Sequence, residues 1–229
     1  MVVLITGTSS GIGKATALYF LERGHEVHGI DIAESAIVHA DYHHYMVDIT
    51  DPESFDAGIP GGLSPEIVIN NAGIQSEDHF GMADIEVNLM GTINVTERYA
   101  IDNDNIKAVV NVGSASGHTG SEFPVYAASK GGVAAYTKNV ALRLAPHATC
   151  NSIDPGGVKT DINIPVMQDK KLWDRIMELT PLKRWAEPEE IAEWIYFVAV
   201  NNRFMTGQNL LIDGGEAGKC EFVWPEEMK

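Results

Sequence analysis

Short apolar runs alternate with segments of helical periodicity along most of the chain. The runs are rich in β-branched residues and predict seven strands, at residues 2–5, 26–31, 44–49, 67–73, 108–114, 150–156 and 209–213. Helical patterns lie between most of them, and the clearest are at residues 14–24, 125–145 and 188–200. Strands that alternate with helices predict an α/β fold, with a doubly wound, mostly parallel sheet that carries helices on both faces.

The pattern is weaker in three segments. Residues 48–71 are rich in Pro and Gly, which predicts a brief or irregular crossover. Residues 116–125 and 159–180 are interpreted as variable loops. We expect one domain at residues 1–215 of the 229-residue chain, and then a tail at residues 216–229. The tail is apolar at Phe222, Val223 and Trp224, which favours a contact with another subunit.

The formal net charge of −16 disfavours nucleic acid, anionic membranes and acidic carrier proteins as partners, because like charges repel over long distances. No apolar stretch reaches the ~20 residues of a membrane span, and the most apolar helical pattern contains Glu193. The chain opens on an apparent strand rather than on a secretory signal, so we expect a cytoplasmic protein. Cys150 and Cys220 are the only cysteines, which predicts reduced thiols.

A glycine-rich loop, TGTSSGIG at residues 6–13, lies between the first predicted strand and the first predicted helix. Gly7 would allow a tight turn, Gly11 a close approach of the backbone to a pyrophosphate, and Gly13 close packing of helix on strand. The helix N-terminus adds N–H donors and the positive end of a dipole. The alternative is a glycine-rich turn without a ligand, which the strand-loop-helix context disfavours.

Asp31 ends the second predicted strand, where a carboxylate can accept hydrogen bonds from both hydroxyls of an adenosine ribose. The same carboxylate would repel a 2′-phosphate. Asp31 therefore predicts NAD as the cofactor, with NADP less favoured. A solvated loop aspartate is the alternative interpretation.

Tyr126 and Lys130 lie one helical turn apart in the helix predicted at residues 125–145. An unperturbed tyrosine has a pKa of about 10, so its phenolate needs stabilisation to exchange a proton with an alcohol or ketone near neutral pH. The Lys130 ammonium, on the same helix face, can supply that stabilisation. The spacing alone is a weak indication, because a partly exposed helix pair has the same pattern.

Nine motifs are similar, in order, to those of the short-chain dehydrogenase/reductase family of Rossmann-fold oxidoreductases, and they span most of residues 2–215. They are TGTSSGIG at residues 6–13, DIT at 48–50, NNAG at 70–73, VNLMG at 87–91, NVGSASG at 111–117, YAASK at 126–130, NSIDPGGVKT at 151–160, PLKRWAEPEEIA at 181–192 and TGQNLLIDGG at 206–215. The resemblance implies a single-domain Rossmann fold that binds NAD(P) and transfers hydride.

The resemblance also implies a catalytic tetrad of Asn88, Ser114, Tyr126 and Lys130. Tyr126 is expected to be the general acid/base, Ser114 to hold the substrate oxygen, and Lys130 to bind the nicotinamide ribose as well. Asn88 is expected behind Lys130, where its side chain or backbone would hold a water of a proton relay. Taken singly, each residue also has an ordinary structural explanation. Ser116 is the nearest rival to Ser114.

Further cofactor contacts are implied motif by motif. Asp48 and Ile49 should bracket the adenine, residues 71–73 should pack beneath it and the adjoining ribose, and Ile12 should lie under the pyrophosphate. Residues 155–160 should line the nicotinamide. The complete predicted set is Gly7, Ser10, Gly11, Ile12, Gly13, Asp31, Asp48, Ile49, Asn71, Ala72, Gly73, Tyr126, Lys130, Pro155, Gly156, Val158 and Thr160.

The histidines predict no metal site. His43 and His44 are adjacent and would point to opposite faces of a strand, and the later histidines lack the spacing of a helical metal motif. His118, between Ser114 and Tyr126 in the sequence, is a candidate for the substrate pocket.

The chain departs from the family pattern in two places near the expected site. Asp154 stands where small or weakly polar residues are common, so it is expected to face either substrate or solvent. Residues 71–88 are short where family members carry a longer segment. This predicts a more open active site, or one completed by another subunit, and an ordered full-length helix there would contradict it.

The combined prediction is an NAD-dependent oxidoreductase that interconverts a secondary alcohol and a ketone, and that forms a homodimer or homotetramer through the helix of Tyr126. A β-ketoacyl-carrier reductase that uses NADPH is an alternative, disfavoured by Asp31 and the acidic charge. A non-catalytic nucleotide-binding scaffold is disfavoured by the intact tetrad. An epimerase or dehydratase of the related extended fold is disfavoured by chain length. Sugars, polyols, hydroxy acids and steroid-like alcohols stay open as substrates.

Overall fold

The computed structural model describes residues 1–76, 78, 80–120 and 123–218, and its seven strands form one parallel sheet. The strands are β1 (Val2–Thr6), β2 (Glu26–Asp31), β3 (Tyr42–Met46), β4 (Ile67–Asn70), β5 (Ala108–Val112), β6 (Thr149–Pro155) and β7 (Asn209–Ile212). Their order in the sheet is β3-β2-β1-β4-β5-β6-β7. Because the chain reverses direction across the sheet between β1 and β4, a crevice is expected at the carboxyl ends of these two strands.

Eight α-helices occur in the part of the chain that the structure describes. They are α1 (Gly11–Leu21), α2 (Pro52–Gly58), α3 (Thr92–Tyr99), α4 (Ser116–Thr119), α5 (Pro124–Leu144), α6 (Ile164–Gln168), α7 (Lys170–Leu179) and α8 (Pro188–Tyr196). A π-helical segment, Ile85–Gly91, precedes α3, and another, Phe197–Asn201, follows α8. A 3₁₀ turn at Asp161–Asn163 leads into α6. Among these helices, none has the length and apolar character needed to span a bilayer.

Both faces of the sheet are buried, and adjacent strand residues serve opposite faces. Val3 and Ile5 pack with Phe20 of α1 in one apolar core, whereas Leu4 packs with Phe55 of α2 in the other. A strand buried on both sides has to be apolar at every position, which explains the unbroken apolar runs of the sequence. The predicted α/β fold class, with its doubly wound sheet of seven strands, is therefore confirmed.

The structure corrects three predicted segments. Residues 116–125 are not simply a loop, because they contain α4 and the first two residues of α5. Residues 159–180 are not simply loops, because they contain α6 and α7. Asp169 caps α7 by accepting hydrogen bonds from the backbone N–H groups of Lys171 and Leu172, each at 3.0 Å. Trp173 then packs edge-on against Trp185, with the ring centroids 4.9 Å apart. In addition, β3 spans residues 42–46 rather than 44–49.

The crossover before β4 in residues 48–71 is brief, as predicted, and its one helix is the seven-residue α2. Asp51 caps that helix by accepting a hydrogen bond from the backbone N–H of Glu53 at 3.1 Å. Of the predicted tail at residues 216–229, the part from 219 onward lies outside the described residues, as does His79. The predicted subunit contact of Phe222, Val223 and Trp224 falls there.

Candidate active site

The glycine-rich loop joins the carboxyl end of β1 to the start of α1. Gly7 adopts φ +76°, a conformation that favours glycine, and its N–H donates to the Ile30 carbonyl oxygen at 2.7 Å. A Cβ on Gly13 would overlap the Gly7 carbonyl oxygen and the Asn71 side-chain amide. Helix α1 therefore starts directly against the loop, at the crevice between β1 and β4.

The first turn of α1 fits an anionic group. Ser10 precedes the helix without capping it through its side chain, and the first turn contains no acidic residue. The N–H groups of a first helical turn lack partners within the helix and attract anions. Gly11 and Ile12 are half-buried at this turn, and the Thr160 methyl group would lie 3.3 Å from a Cβ on Gly11. The loop can thus cradle the phosphates of a dinucleotide.

Asp31 lies beside this loop at the end of β2. Its Oδ2 accepts a 2.9 Å hydrogen bond from the Ser9 N–H, and its Oδ1 accepts a 3.0 Å bond from the Ala33 N–H. Two backbone donors therefore hold the carboxylate in one orientation. Each oxygen keeps a further lone pair with which it can accept a ligand hydroxyl.

Asp48 and Ile49 follow β3 and differ in what they offer a ligand. Asp48 Oδ1 accepts hydrogen bonds from the N–H and the hydroxyl of Thr50, both at 2.8 Å, so it mainly stabilises its own turn. Ile49 is buried against Gly91, where a Cβ would be 2.5 Å from its Cδ1 atom. The Ile49 carbonyl oxygen accepts a 3.0 Å bond from the Asn94 side chain.

Residues 71–73 connect the glycine-rich loop to the predicted catalytic residues. The backbone N–H groups of Asn71 and Ala72 both donate to the Thr6 hydroxyl at 3.0 Å. A Cβ on Gly73 would be 3.3 Å from Lys130 Nζ. The loop after β4 thus places its backbone between β1 and the lysine.

Lys130 is buried, and its Nζ donates a 2.9 Å hydrogen bond to the Val112 carbonyl oxygen at the end of β5. Burial lowers the pKa of Lys130 to about 8, and the carboxylates of Asp154 and Asp84 partly oppose that shift. The Nζ atom lies 5.8 Å from the centroid of the Tyr126 ring. The positive charge is therefore held near Tyr126, and little water screens it.

Ser114 lies in the turn that follows β5, and this turn packs on α5. Its Oγ accepts a 3.1 Å hydrogen bond from the Ser116 N–H. A Cβ on Gly117 would be 2.9 Å from the Lys130 carbonyl carbon, so the turn approaches the helix at the lysine. The structure thus brings Ser114, Tyr126 and Lys130 to one end of the sheet, whereas Ser116 is the first residue of α4.

Asn88, in the π-helical segment Ile85–Gly91, has a side chain occupied by protein groups. Its Oδ1 accepts from the Ile74 N–H at 2.8 Å, and its Nδ2 donates to the Ile74 carbonyl at 2.9 Å. The same Nδ2 donates to Ser129 Oγ at 3.0 Å, and Ser129 donates to the Tyr126 carbonyl at 2.7 Å. The Asn88 carbonyl oxygen also has a protein partner, because it accepts a 2.8 Å hydrogen bond from the Thr92 hydroxyl.

Asp84 and Ser129 are two buried polar residues that the sequence did not single out. Asp84 accepts hydrogen bonds from the N–H and the hydroxyl of Ser76, at 3.1 and 2.6 Å. Together with the hydrogen bonds between Asn88 and Ile74, this contact anchors the short segment after β4. The segment has no full-length helix between Gly73 and Asn88 in its described residues. Polar residues inside helical patterns carry no sequence signal that tells such anchors from surface residues.

Asp154 and His118 form a pair beside Lys130, although the sequence suggested no link between them. Asp154 is 1% exposed, so the solvent-facing alternative for it is wrong. Its Oδ2 is hydrogen-bonded to His118 Nε2, while Oδ1 is buried against Gly113 without a hydrogen-bond partner. The His118 side chain is 32% exposed and lies between a buried carboxylate and the outside of the site.

Residues 155–160 run from β6 across the end of the sheet. The Pro155 carbonyl accepts from the Ala115 N–H at 2.8 Å, and the Gly156 N–H donates to the Ile212 carbonyl at 3.0 Å. Val158 is 3% exposed, with its side chain in the core. Its carbonyl oxygen accepts hydrogen bonds from the Thr160 N–H at 2.9 Å and from Asn163 Nδ2 at 2.8 Å. The segment therefore closes the side of the site that faces Gly11.

Comparisons with known proteins identify the family and support the fold over nearly the whole chain. The family described as enoyl-(acyl carrier protein) reductase matches residues 7–216. The 3-oxoacyl-[acyl-carrier-protein] reductase FabG of Thermotoga maritima is 33% identical over 240 residues, which cover 93% of this chain and 96% of the relative.

Two solved structures are similar over nearly the whole chain. The aldohexose dehydrogenase of Thermoplasma acidophilum, in ligand-free form, has a TM-score of 0.84 and 28% identity, with 98% of this chain and 97% of that one covered. A 4-hydroxyisoleucine dehydrogenase complexed with NADH has a TM-score of 0.86 and 29% identity, with 96% and 99% covered. The chain therefore belongs to the short-chain dehydrogenase/reductase family, as an NAD(P)-binding oxidoreductase with a Rossmann fold.

Proposed function

We propose that the protein interconverts a secondary alcohol and a ketone with NAD, and that Tyr126 is the general acid/base. The main support is the buried Lys130 ammonium, 5.8 Å from the centroid of the Tyr126 ring. A positive charge that water screens poorly favours the phenolate and so lowers the pKa of a nearby tyrosine. The bound nicotinamide would accept or supply the hydride.

The proton path uses residues of this chain. In the oxidation direction, Tyr126 takes the hydroxyl proton while the carbon loses its hydride, and in reduction Tyr126 returns a proton to the oxygen. Ser114 donates a hydrogen bond to the substrate oxygen and so stabilises the charge that develops there. Asn88 acts through Ser129, because these two side chains connect Ile74 to the Tyr126 backbone. Asn88 is thus a positioning residue as well as the proposed holder of the relay water.

A screen of secondary alcohols with NAD, followed at the nicotinamide absorbance, tests the activity. Tyr126→Phe should abolish turnover of every substrate found, because it removes only the hydroxyl. Tyr136→Phe is the matched control, since Tyr136 lies on the same helix with its hydroxyl bonded to Glu97 at 2.9 Å. Retained turnover in Tyr126→Phe would refute the assignment.

The preference for NAD rests on Asp31. Its carboxylate is held by the N–H groups of Ser9 and Ala33, so it cannot easily turn away from a 2′-phosphate. We expect NADH to bind at least about tenfold more tightly than NADPH, which corresponds to ~1.4 kcal/mol. Asp31→Ala should reduce the ratio of the NADPH dissociation constant to the NADH dissociation constant. Asp41→Ala, at an exposed carboxylate, should leave this ratio unchanged. A wild-type preference for NADPH would overturn the proposal.

A second candidate function is reduction of a β-ketoacyl group on a carrier protein with NADPH. The similarity to the Thermotoga maritima reductase favours it. Against it stand Asp31 and the net charge of −16, which repels an acidic carrier. Turnover of a β-ketoacyl thioester with NADPH that exceeds turnover of every alcohol with NAD would select this function.

The proposed homodimer or homotetramer would form through α5. Its outward side carries the small residues Ala128 and Ala135, followed by Leu142, which is 81% exposed. Small residues allow two helices to pack closely, and an exposed leucine gains by burial. Light scattering of Leu142→Glu should show a smaller species than the wild type.

A further inference from the structure

A cluster of one carboxylate and two imidazoles lies at the amino ends of β2 and β3. Glu26 and His28 are two residues apart on β2, so their side chains share one face of the sheet. His43 is the register partner of His28 on the adjacent edge strand β3. Strand pairing therefore brings together three residues that are up to 17 positions apart in the chain. The prediction from the sequence considered His43 only with its neighbour His44, so it did not include this cluster.

The three ligand atoms have the separations of a metal site. Glu26 Oε1 lies 3.1 Å from His28 Nε2 and 3.3 Å from His43 Nε2, and all three atoms are within 4.8 Å of one another. Four ligands at ~2.0–2.1 Å from a tetrahedral zinc ion are about 3.3–3.4 Å apart. The two distances from Glu26 are thus close to the spacing of zinc ligands, and the two histidine nitrogens are no more than 4.8 Å apart.

We propose that Glu26, His28 and His43 bind a divalent transition-metal ion, with Zn²⁺ the best match. Two imidazole nitrogens and one carboxylate oxygen form a donor set that suits zinc, and a water can complete the tetrahedron. The side chains of Glu26 and His43 are 46% and 44% exposed, so an ion can enter from solvent. The net charge of −16 also attracts cations to the surface.

A neighbouring hydroxyl orients the buried ligand. His28 Nδ1 lies 3.0 Å from the Tyr45 hydroxyl, which leaves Nε2 facing Glu26. Metal-bound histidines usually donate their second ring N–H to such a partner, which fixes the tautomer. Tyr45 follows His43 by two residues and so lies on the same face of β3.

The proposed metal has a structural role that is separate from the proposed oxidoreductase chemistry. It would tie the edge strand β3 to β2 at the amino ends of the strands, whereas the glycine-rich loop lies at their carboxyl ends. The competing explanation is a hydrogen-bonded cluster that never binds metal. In that cluster the same three side chains would bind one another and no added ion.

Zinc titration of metal-stripped protein by calorimetry distinguishes the two explanations. We expect one Zn²⁺ per chain, and visible bands of tetrahedral Co²⁺ when cobalt replaces zinc. Glu26→Gln and His43→Gln should each weaken Zn²⁺ binding by at least about tenfold, and Tyr45→Phe by roughly tenfold or more. His39→Gln is the matched control, because His39 is 41% exposed near this edge but outside the cluster.

Two results would overturn the proposal. One is wild-type protein that binds Zn²⁺ no better than His43→Gln, and the other is Zn²⁺ binding that His39→Gln weakens as much as His43→Gln does. Circular dichroism checks that each variant is folded. If His43→Gln proves unfolded, the exposed Glu26→Gln replaces it, and undiminished Zn²⁺ binding by that variant would also refute the site.

Discussion

Lys130 Nζ donates a 2.9 Å hydrogen bond to the Val112 carbonyl oxygen, which brings a charged side chain to the buried end of a central strand. Burial lowers the pKa of this lysine to about 8, so folding disfavours its charged form. The proposed chemistry needs that charge next to Tyr126. Function and stability therefore place opposite demands on this position.

Lys130→Met should abolish activity and stabilise the cofactor-free protein. The fall in pKa from 10.5 to about 8 corresponds to about 3 kcal/mol of unfavourable burial for the ammonium. Loss of the bond to Val112 offsets part of this, so we expect the free energy of unfolding to rise by about 1–2 kcal/mol at neutral pH. Urea denaturation measures it. Lys138→Met, at an exposed site on the same helix, should change it by less than about 0.5 kcal/mol.

The difference in the free energy of unfolding between Lys130→Met and the wild type should depend on pH. Between pH of about 8 and 10.5 the unfolded chain binds more protons at Lys130 than the folded protein does, so the wild type gains stability as the pH rises. The advantage of Lys130→Met should therefore be full below pH of about 8 and shrink toward pH of about 10.5. A difference that is constant over this range would contradict the buried-charge explanation.

Asp154→Asn should move the alkaline limb of the rate profile to lower pH. Burial lowers the pKa of Lys130, and the Asp154 carboxylate partly opposes this, so its loss lowers the pKa further. The ammonium that favours the Tyr126 phenolate is then lost at lower pH. The dependence of kcat/KM on pH, with a substrate from the alcohol screen, measures the shift. Asp161→Asn, at an exposed carboxylate, should leave the profile in place.

Asn88→Ala should loosen the short segment after β4. It removes both hydrogen bonds to Ile74 and the one to Ser129, so we expect a loss of about 2–3 kcal/mol in the free energy of unfolding. Asn94→Ala removes a single bond to Ile49 and should cost only about 1 kcal/mol. Equal losses in the two variants would mean that Asn88 does not anchor the segment.

Gly13→Ala should destabilise the protein and prevent NADH binding. The added methyl group would overlap the Gly7 carbonyl oxygen, which is backbone and cannot move without shifting the loop. Such overpacking costs about 1–3 kcal/mol. Gly61→Ala is the control, since nothing lies within 4 Å of a Cβ there, and thermal unfolding should show little change.

The accuracy of the sequence predictions follows the range of the interactions concerned. Strand β2 and helix α5 were predicted almost to the residue, because apolar runs and helical periodicity are local properties. Helix α7 was missed although Leu172, Trp173 and Ile176 lie on one side of it, because a short polar helix depends on docking. Trp185, which Trp173 contacts, lies 12 residues further along the chain, beyond the end of α7.

The polar pairs could not be predicted, since their members lie on separate elements that meet only when the chain packs. His118 and Asp154 are 36 residues apart, and Asn88 and Ser129 are 41 apart. The sequence placed His118 and Asp154 near the site, but nothing in it linked the two.

The sequence by itself determined the fold class, because periodic burial is a local property, and its nine ordered motifs carried the resemblance to the family. It put Tyr126 and Lys130 on one helix face, since four residues make about one turn. Only the tertiary structure decided that Lys130 is buried, which carboxylates surround it, and that His43 meets His28 and Glu26. Burial and strand register arise when distant segments pack, and these two determine the pKa values and the partners of the polar groups.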